Sequence, residues 1–262
     1  MIVDKGVYDF GDYHPRCWIY LRFGRTHGAQ TVIEAIQNSC NYIFYEVGYR
    51  LGIDAIDKYS RVYGLGAPTG IELPESTGNM ANAKNHEELT GEVWTIGQTM
   101  QAAIGQSDSL FTPLQLAEYC AAVANGGERH SASILKSVRS YSYGENVYER
   151  ENEVLSKVET AQYNWDAVHE GMRLVGKSSL PNYTMTSIAA KTGTAQKGES
   201  IANDGIFICY APFDDPEIAM AIVVQKGGAG ANCSVIAQEI LEAYFSLKSA
   251  TDVTDIEGEL LQ

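Results

Sequence analysis

A short apolar run at residues 187–190 leads directly into Lys191, Thr192, Gly193 and Thr194. The run is typical of a β-strand, so it predicts that a cation and two hydroxyl groups are presented along one strand. Lysine supplies positive potential, threonine hydroxyls can bind a carboxylate, and glycine lets a ligand lie close to the backbone. The pattern favours serine-type acyl transfer on a substrate that ends in a carboxylate. Short tripeptides recur by chance, so Lys-Thr-Gly supports this chemistry only if the chain also contains the motifs that accompany it.

A second polar pair, Ser39 and Asn41, lies where one helical pattern (30–38) stops and another (42–51) begins. A hydroxyl at such a break can relay a proton, and a carboxamide can bind a peptide carbonyl group. The alternative is structural, since a serine before a helix is commonly its N-cap.

Composition limits the possible partners and cofactors. The chain has 262 residues, is 45% hydrophobic and carries a net charge of −14, which argues against a nucleic-acid partner and against docking on an anionic membrane surface. The cysteine count is odd, no Cys-x-x-Cys occurs, and the five histidines lack ligand spacing. We therefore expect no metal or cofactor, and cysteines that pack as small apolar residues (17, 40, 120, 209 and 233).

The order of predicted elements indicates an α+β fold. The first 28 residues look irregular, and helices are predicted at 30–38, 42–51, 53–63 and 158–175, with a further helix that starts at Thr112 and Pro113. Residues 66–90 read as a long loop, and 133–150 as a hairpin. Strands are predicted at 187–194, 205–211 and 217–225, followed by a helix at 235–245. A helical subdomain beside an antiparallel sheet covered by helices accounts for this order.

Several segments of the sequence together resemble the transpeptidase domain of penicillin-binding proteins, above all the class B, elongation-type members. The resemblance extends from about residue 4 to about 246. It is carried by five groups of residues: 38–48, 104–106, 112–117 with 124–127, 191–195, and 207–212 with 221–224. It implies a penicillin-binding/β-lactamase-like fold.

The resemblance also implies roles for the site residues. Ser39 would relay protons, Asn41 would hold the substrate amide, and Lys191 would support Ser39. Thr192 and Thr194 would bind the terminal carboxylate, and the backbone N–H of Thr194 would form half of an oxyanion hole.

By the same resemblance, the substrate is a peptidoglycan stem peptide ending in D-Ala-D-Ala, and β-lactam antibiotics are its mimics. The chemistry needs no metal or cofactor. The parent protein is expected at the extracytoplasmic face of the bacterial cell membrane, in a cell-wall synthesis complex, while this chain itself is expected to be soluble.

One element of the family pattern is absent. The nucleophile lies in a Ser-x-x-Lys motif upstream of Ser-x-Asn, yet no serine precedes Ser39. The single Ser-x-x-Lys string, at 133–136, falls in a strand-like segment, where its two side chains would point to opposite faces. We expect a partial transpeptidase domain (1–248) that lacks its N-terminal part and nucleophile, is inactive alone, and ends in an acidic, disordered tail (249–262).

Two other functions stay open. The chain could be a non-catalytic module that binds peptidoglycan stems or protein partners. A β-lactamase or D,D-carboxypeptidase of the same fold is less favoured, because no glutamate stands out as a deacylating base.

Overall fold

The computed structural model describes residues 1–142, 144–198 and 201–257, with side chains described as far as residue 249. The helices are α1 (Trp18–Phe23), α2 (Val32–Gln37), α3 (Asn41–Leu51), α4 (Ile53–Val62), α5 (Ala83–Thr90), α6 (Ile96–Ala102), α7 (Pro113–Ala124), α8 (Gln162–Ser179) and α9 (Ser234–Glu257). The strands are β1 (Ile2–Asp4), β2 (Gly28–Gln30), β3 (Glu128–His130), β4 (Ser137–Arg139), β5 (Asn146–Glu149), β6 (Val154–Lys157), β7 (Ala189–Ala195), β8 (Asp204–Ala211) and β9 (Ile218–Val224).

The main sheet is antiparallel and three-stranded, in the order β7-β8-β9, as the sequence predicts. One face packs against α9 around Phe207 and Leu241, and the other packs against α7 and α8 around Met172 and Tyr210. Helices therefore cover both faces of the sheet, which confirms the predicted α+β architecture. In β7, successive side chains alternate between these two faces.

The helix starts follow from local sequence. The side-chain hydroxyl of Thr112 caps α7 by accepting a hydrogen bond from the backbone N–H of Gln115. The side-chain oxygen of Gln115 in turn accepts a hydrogen bond from the backbone N–H of Thr112. Thr31 and Glu34 form the same reciprocal pair at α2. These caps confirm the predicted start of α7 and fix the start of the helix that leads to Ser39.

The prediction that the first 28 residues are irregular is wrong for two segments. Residues 2–4 form β1, which pairs antiparallel with β2, and residues 18–23 form α1, while 5–17 contain no helix and only isolated β-bridges. This pairing depends on contacts distant in sequence, among them the hydrogen bond that the Asp4 carboxylate accepts from the backbone N–H of His27. Local periodicity carries no signal for it.

Two other predicted elements differ in the structure, and one is present as predicted. Helix α5 lies inside the predicted loop, with Asn82 as its cap. Helix α8 starts at Gln162 rather than residue 158, because the Val158 N–H is bonded to the Gly127 carbonyl group in an extended segment. The hairpin predicted at 133–150 is present as β4 and β5.

The last helix continues past residue 249, where the sequence analysis began the tail, as far as Glu257. The remainder of that predicted tail, 258–262, lies outside the described residues. Its disorder stays a prediction. Among the described residues, no helix combines the length and apolar character needed to cross a membrane.

Candidate active site

Ser39 and Lys191 meet between the helical part and the sheet. Ser39 lies between α2 and α3 with a φ of 49°, and its hydroxyl oxygen accepts a hydrogen bond from Lys191 Nζ. The cap of α3 is Cys40, which makes no side-chain capping bond. The structure therefore replaces the N-cap interpretation of Ser39 with a direct contact to the strand.

The ammonium group of Lys191 is held in a poorly solvated place. Burial lowers the pKa of Lys191 to about 8. Its Nζ also donates to the carbonyl oxygen of Thr192 at 3.0 Å, which orients the amine along the strand. A lysine whose pKa lies near neutrality can exchange a proton with a neighbouring hydroxyl group more readily than an ordinary lysine can.

Backbone groups of Thr194 face away from the rest of the sheet. Its carbonyl oxygen accepts a hydrogen bond from Gln106 Nε2 at 3.1 Å, from outside the sheet. Because the N–H and C=O groups of one strand residue point to the same side, the Thr194 N–H also faces the outer edge of β7. An outward N–H on an edge strand can pair with an extended peptide or stabilise an oxyanion.

The turn before α9 packs against the end of β7. The Thr194 hydroxyl accepts a hydrogen bond from the Gly230 N–H at 3.1 Å, which leaves its own proton for a ligand. A Cβ atom on Gly230 would lie 2.1 Å from the carbonyl oxygen of Gly193, so only glycine permits this approach. No sequence pattern indicates the contacts of Gly230 or Gln106. The Gly-rich stretch at 227–230 was the only signal for Gly230.

Asn41 is the first residue of α3, one residue from Cys40. Burial raises the pKa of Tyr45, one helical turn further on, to about 12, and the nearby Asn41 side chain opposes this rise. Asn41 thus lies beside Ser39, with its carboxamide near Tyr45.

The Ser-x-x-Lys string at 133–136 forms a different kind of contact. The Ser133 hydroxyl donates to the carboxylate of Glu72, and this bond lowers the pKa of Glu72 to about 2. Ser133 is also bonded to the backbone of Leu135. These bonds hold the segment before β4 in an irregular turn, which supports the interpretation of the string as a chance match.

A buried cluster of potential metal ligands lies directly behind Ser39. It consists of Asp4, Cys17, His27 and Cys40, whose donor atoms all lie within 4.8 Å of one another. The expectation of no metal site used spacing along the chain, whereas folding gathers these four donors from separate segments.

The donor separations are close to those around a tetrahedral ion. Cys17 Sγ lies 3.9 Å from Cys40 Sγ and 3.6 Å from His27 Nδ1, and Asp4 Oδ2 lies 3.4 Å from Cys40 Sγ. Zinc bonds of about 2.3 Å to sulfur and about 2.0 Å to nitrogen or oxygen place tetrahedral ligands roughly 3.3–3.8 Å apart. Asp4 Oδ2 and His27 Nδ1 lie 2.8 Å apart in a hydrogen bond, so these two atoms would have to separate by roughly 0.5 Å to bind Zn²⁺ together.

The Asp4 carboxylate supplies negative charge to the cluster. Burial opposes ionisation of Asp4, but hydrogen bonds from the His27 and Gly6 backbones outweigh it, so the pKa of the Asp4 carboxyl lies below its usual value. The hydrogen bond between the thiols lowers the pKa of Cys17 and raises that of Cys40. Both thiols and the Asp4 carboxylate are buried.

The structure thus combines an antiparallel sheet with helices on both faces and a lysine on the edge strand that is bonded to a serine between two helices. A family model described as penicillin-binding protein transpeptidase domain matches residues 4–245. The chain belongs to this family, which confirms the resemblance.

Relatives with known names agree with this family. The chain is 30% identical over 239 residues to a peptidoglycan D,D-transpeptidase MrdA of Acinetobacter baumannii, covering 83% of this chain and 35% of the relative. It is 34% identical over 221 residues to penicillin-binding protein 2A of Bacillus subtilis, covering 76% and 30%. The chain thus spans about a third of the length of these relatives.

Solved structures share the fold. The crystal structure of Pseudomonas aeruginosa PBP2 in complex with WCK 5153 matches with a TM-score of 0.80 and 26% identity, covering 93% of this chain and 55% of that one. The chain therefore has the fold of the matched part of that structure.

Proposed function

We propose that this chain forms the Ser-x-Asn and Lys-Thr-Gly side of a peptidoglycan D,D-transpeptidase site. The observation that carries the proposal is the hydrogen bond from Lys191 Nζ to the Ser39 hydroxyl, because it joins the two predicted motifs into one polar site. The outward N–H of Thr194 and its available hydroxyl proton lie on the same strand.

In this proposal, a stem peptide ending in D-Ala-D-Ala lies along the outer edge of β7. The hydroxyls of Thr192 and Thr194 bind its terminal carboxylate, and Gly193 leaves room for its backbone. The Thr194 N–H stabilises the negative charge that develops on the scissile carbonyl oxygen. Asn41 turns from Tyr45 to hold the substrate amide.

Ser39 and Lys191 carry out the proton transfer in this proposal. The hydroxyl of Ser39 passes a proton from the nucleophile's side toward the leaving nitrogen, and the amine of Lys191 stabilises each proton position. The attacking serine would come from a Ser-x-x-Lys element that residues 1–262 supply only as the string at 133–136. We therefore infer that this chain alone forms no acyl-enzyme.

For the whole protein, we propose an extracytoplasmic location and assembly with other cell-wall synthesis proteins. Both proposals rest on the family and its substrate, since peptidoglycan is cross-linked outside the cell membrane.

The test uses the 262-residue chain and two ligands. Titration with diacetyl-L-lysyl-D-alanyl-D-alanine, followed by NMR, should shift amide signals at 191–194 and 39–41. The L-alanyl-L-alanine isomer should not. Thr194→Val should remove the shifts, while Thr184→Val, at an exposed position, should keep them. Equal shifts with both isomers, or none, would reject the proposed site.

The second ligand is benzylpenicillin, with intact mass as the readout. No added mass is expected. A stoichiometric adduct that maps to Ser39 or Ser133 would overturn the relay role of Ser39 or the chance-match interpretation of Ser133, respectively.

A non-catalytic binding module is the second candidate, favoured because the single Ser-x-x-Lys in residues 1–262 is the string at 133–136. Both proposed functions predict that the chain binds the stem peptide. Sequencing the gene upstream of the codon for Met1 distinguishes them. An in-frame Ser-x-x-Lys whose serine is acylated in the longer chain supports the transpeptidase.

We also propose that Asp4, Cys17, His27 and Cys40 hold a structural Zn²⁺. The proposal rests on the proximity of the four buried donors, whose ligand atoms all lie within 4.8 Å of one another. A bound ion would tie β1, α1 and the start of α3 together through Cys40, next to Ser39. It would thereby fix the serine without contacting substrate.

A further inference from the structure

Two thiols lie unusually close behind the site. The sulfur atoms of Cys17 and Cys40 are 3.9 Å apart, both residues are fully buried, and both are free thiols. A disulfide requires a sulfur separation of about 2.05 Å, so the two atoms must approach by roughly 2 Å in total.

Both cysteines lie just before a helix, and their backbone N–H groups donate to the carbonyl oxygens of Gly6 and Ala35. Each precedes a helix in extended conformation, Cys17 before α1 and Cys40 before α3, and neither makes a side-chain capping bond. Bringing the sulfurs together therefore breaks no helix cap. It does break the bond from Cys40 to Asp4 and the contact of Cys17 with His27.

The same two cysteines are linked to the segment that carries Ser39, Cys40 through the chain and Cys17 through its neighbour Trp18. Cys40 is its direct neighbour, and Ser39 holds a left-handed backbone conformation that is sensitive to movement. Trp18, next to Cys17, donates its indole N–H to the carbonyl oxygen of Asn38 at 3.0 Å. A change at either cysteine is thus transmitted to residues 38–40 from both sides.

We propose that Cys17 and Cys40 are a reversible disulfide modification site, and that their oxidation moves Ser39 out of contact with Lys191. The oxidant is a peroxide. One thiol attacks hydrogen peroxide, which yields a sulfenic acid and one water molecule. The second thiol then attacks the sulfenic sulfur, the S–S bond forms, and a second water leaves. Two thiols are oxidised by two electrons, and the peroxide is reduced.

Access to the thiols comes from local opening. Helix α1 contains no fully buried residue, and Leu21 and Phe23 are more than half exposed. Elements that bury little apolar surface open at lower free energy than the core does. Opening of α1 exposes Cys17 while the main sheet stays folded.

A bound zinc ion would compete with oxidation, because it holds both sulfurs as ligands. The disulfide inference rests on the geometry of the thiols and holds for the metal-free chain. Its consequence for catalysis rests on the proposed role of Ser39. The experiment therefore uses chain treated with EDTA, and separates the chemical step from its effect on the site.

The chemical step is tested by mild peroxide treatment, alkylation and non-reducing peptide mapping. A cross-linked Cys17–Cys40 peptide that has lost two hydrogen atoms is expected, together with reversal by dithiothreitol. The buried Cys120, Cys209 and Cys233 serve as internal controls and should be alkylated only after unfolding. Absence of the cross-link, or a mixture of pairings, would overturn the proposal.

The effect on the site is read from tryptophan fluorescence and NMR. Oxidation should change the fluorescence of Trp18 and shift the amide signals of Ser39 and Lys191, and Cys17→Ser should abolish both changes. A cross-link without these changes would reject the coupling to Ser39. Stem-peptide binding by the reduced chain is measured in parallel, so failure of the proposed function is seen separately.

Discussion

The amine of Lys191 and the hydroxyl of Ser39 are joined by a hydrogen bond although they lie 152 positions apart in the chain. This bond connects the edge strand of the sheet to the break between α2 and α3. Everything proposed for catalysis depends on it, because neither group alone can both deliver and stabilise a proton at the substrate. The bond depends on the protonation state of Lys191.

The stability of the chain should rise with pH because of Lys191. Its pKa is lowered to about 8 in the folded state, against about 10.4 for a free lysine. Between these values the unfolded chain binds more protons at this residue, so the free energy of unfolding increases with pH. The destabilisation is fully present below about pH 8.

Urea unfolding of the chain and of Lys191→Met across this window measures the effect. The difference in unfolding free energy, wild type minus variant, should increase with pH. Lys84→Met, at an exposed position, should parallel the wild type. Parallel curves for Lys191→Met would contradict the lowered pKa.

The buried four-residue cluster should retain zinc. After loading and dialysis, we expect about one zinc per chain by elemental analysis, and a melting temperature that falls when EDTA removes it. His27→Ala should lose the metal, because it deletes one of four ligands. His14→Ala changes an exposed histidine and should keep it. Equal zinc content in the two variants would exclude the site.

Substitution of Gly230 should disturb the strand that carries the site. In Gly230→Ala, the new Cβ would lie 2.1 Å from the Gly193 carbonyl oxygen and 2.5 Å from that of Ile206. Both contacts are with backbone, so the turn must move away from the sheet. We expect a loss of about 1–3 kcal/mol in stability and weaker binding of the stem peptide.

Gly144→Ala is the matched control, since its Cβ would meet only the Ser142 hydroxyl at 3.6 Å. It should change stability by less than about 0.5 kcal/mol in thermal unfolding. An equally mild effect of Gly230→Ala would mean that the turn tolerates displacement.

A buried ion pair supports the helical part. Arg129 Nε donates to Glu118 at 3.0 Å, and Arg129 also donates to the Pro68 carbonyl oxygen. Burial raises the pKa of Glu118, and the charge of Arg129 offsets this only in part. Arg129→Met should cost about 3–5 kcal/mol, because it leaves an unpaired buried carboxylate.

Adding Glu118→Gln to Arg129→Met should restore part of the stability. The control is Arg61→Met, which breaks a more exposed pair with Asp57 and should cost at most about 1 kcal/mol. Similar losses for Arg61→Met and Arg129→Met in chemical denaturation would argue against the buried pair.

Local patterns in the sequence were sufficient for several elements. The threonine–proline start of α7 was readable because a helix cap is decided by adjacent residues. The three long strands were readable because their apolar runs are separated by turn residues. The pair β1 and β2 was missed, since it is held by bonds between distant segments, and the start of α8 shifted for the same reason.

The sequence by itself determined which chemical groups are present: the serine, the lysine, the two threonines and the family they indicate. Tertiary structure alone decided that Lys191 bonds Ser39, that Thr194 turns its backbone N–H outward, and that four donors meet around Cys40. The physical reason is that hydrophobic periodicity specifies which face of an element is buried. It does not specify which distant polar group that burial brings within hydrogen-bonding distance.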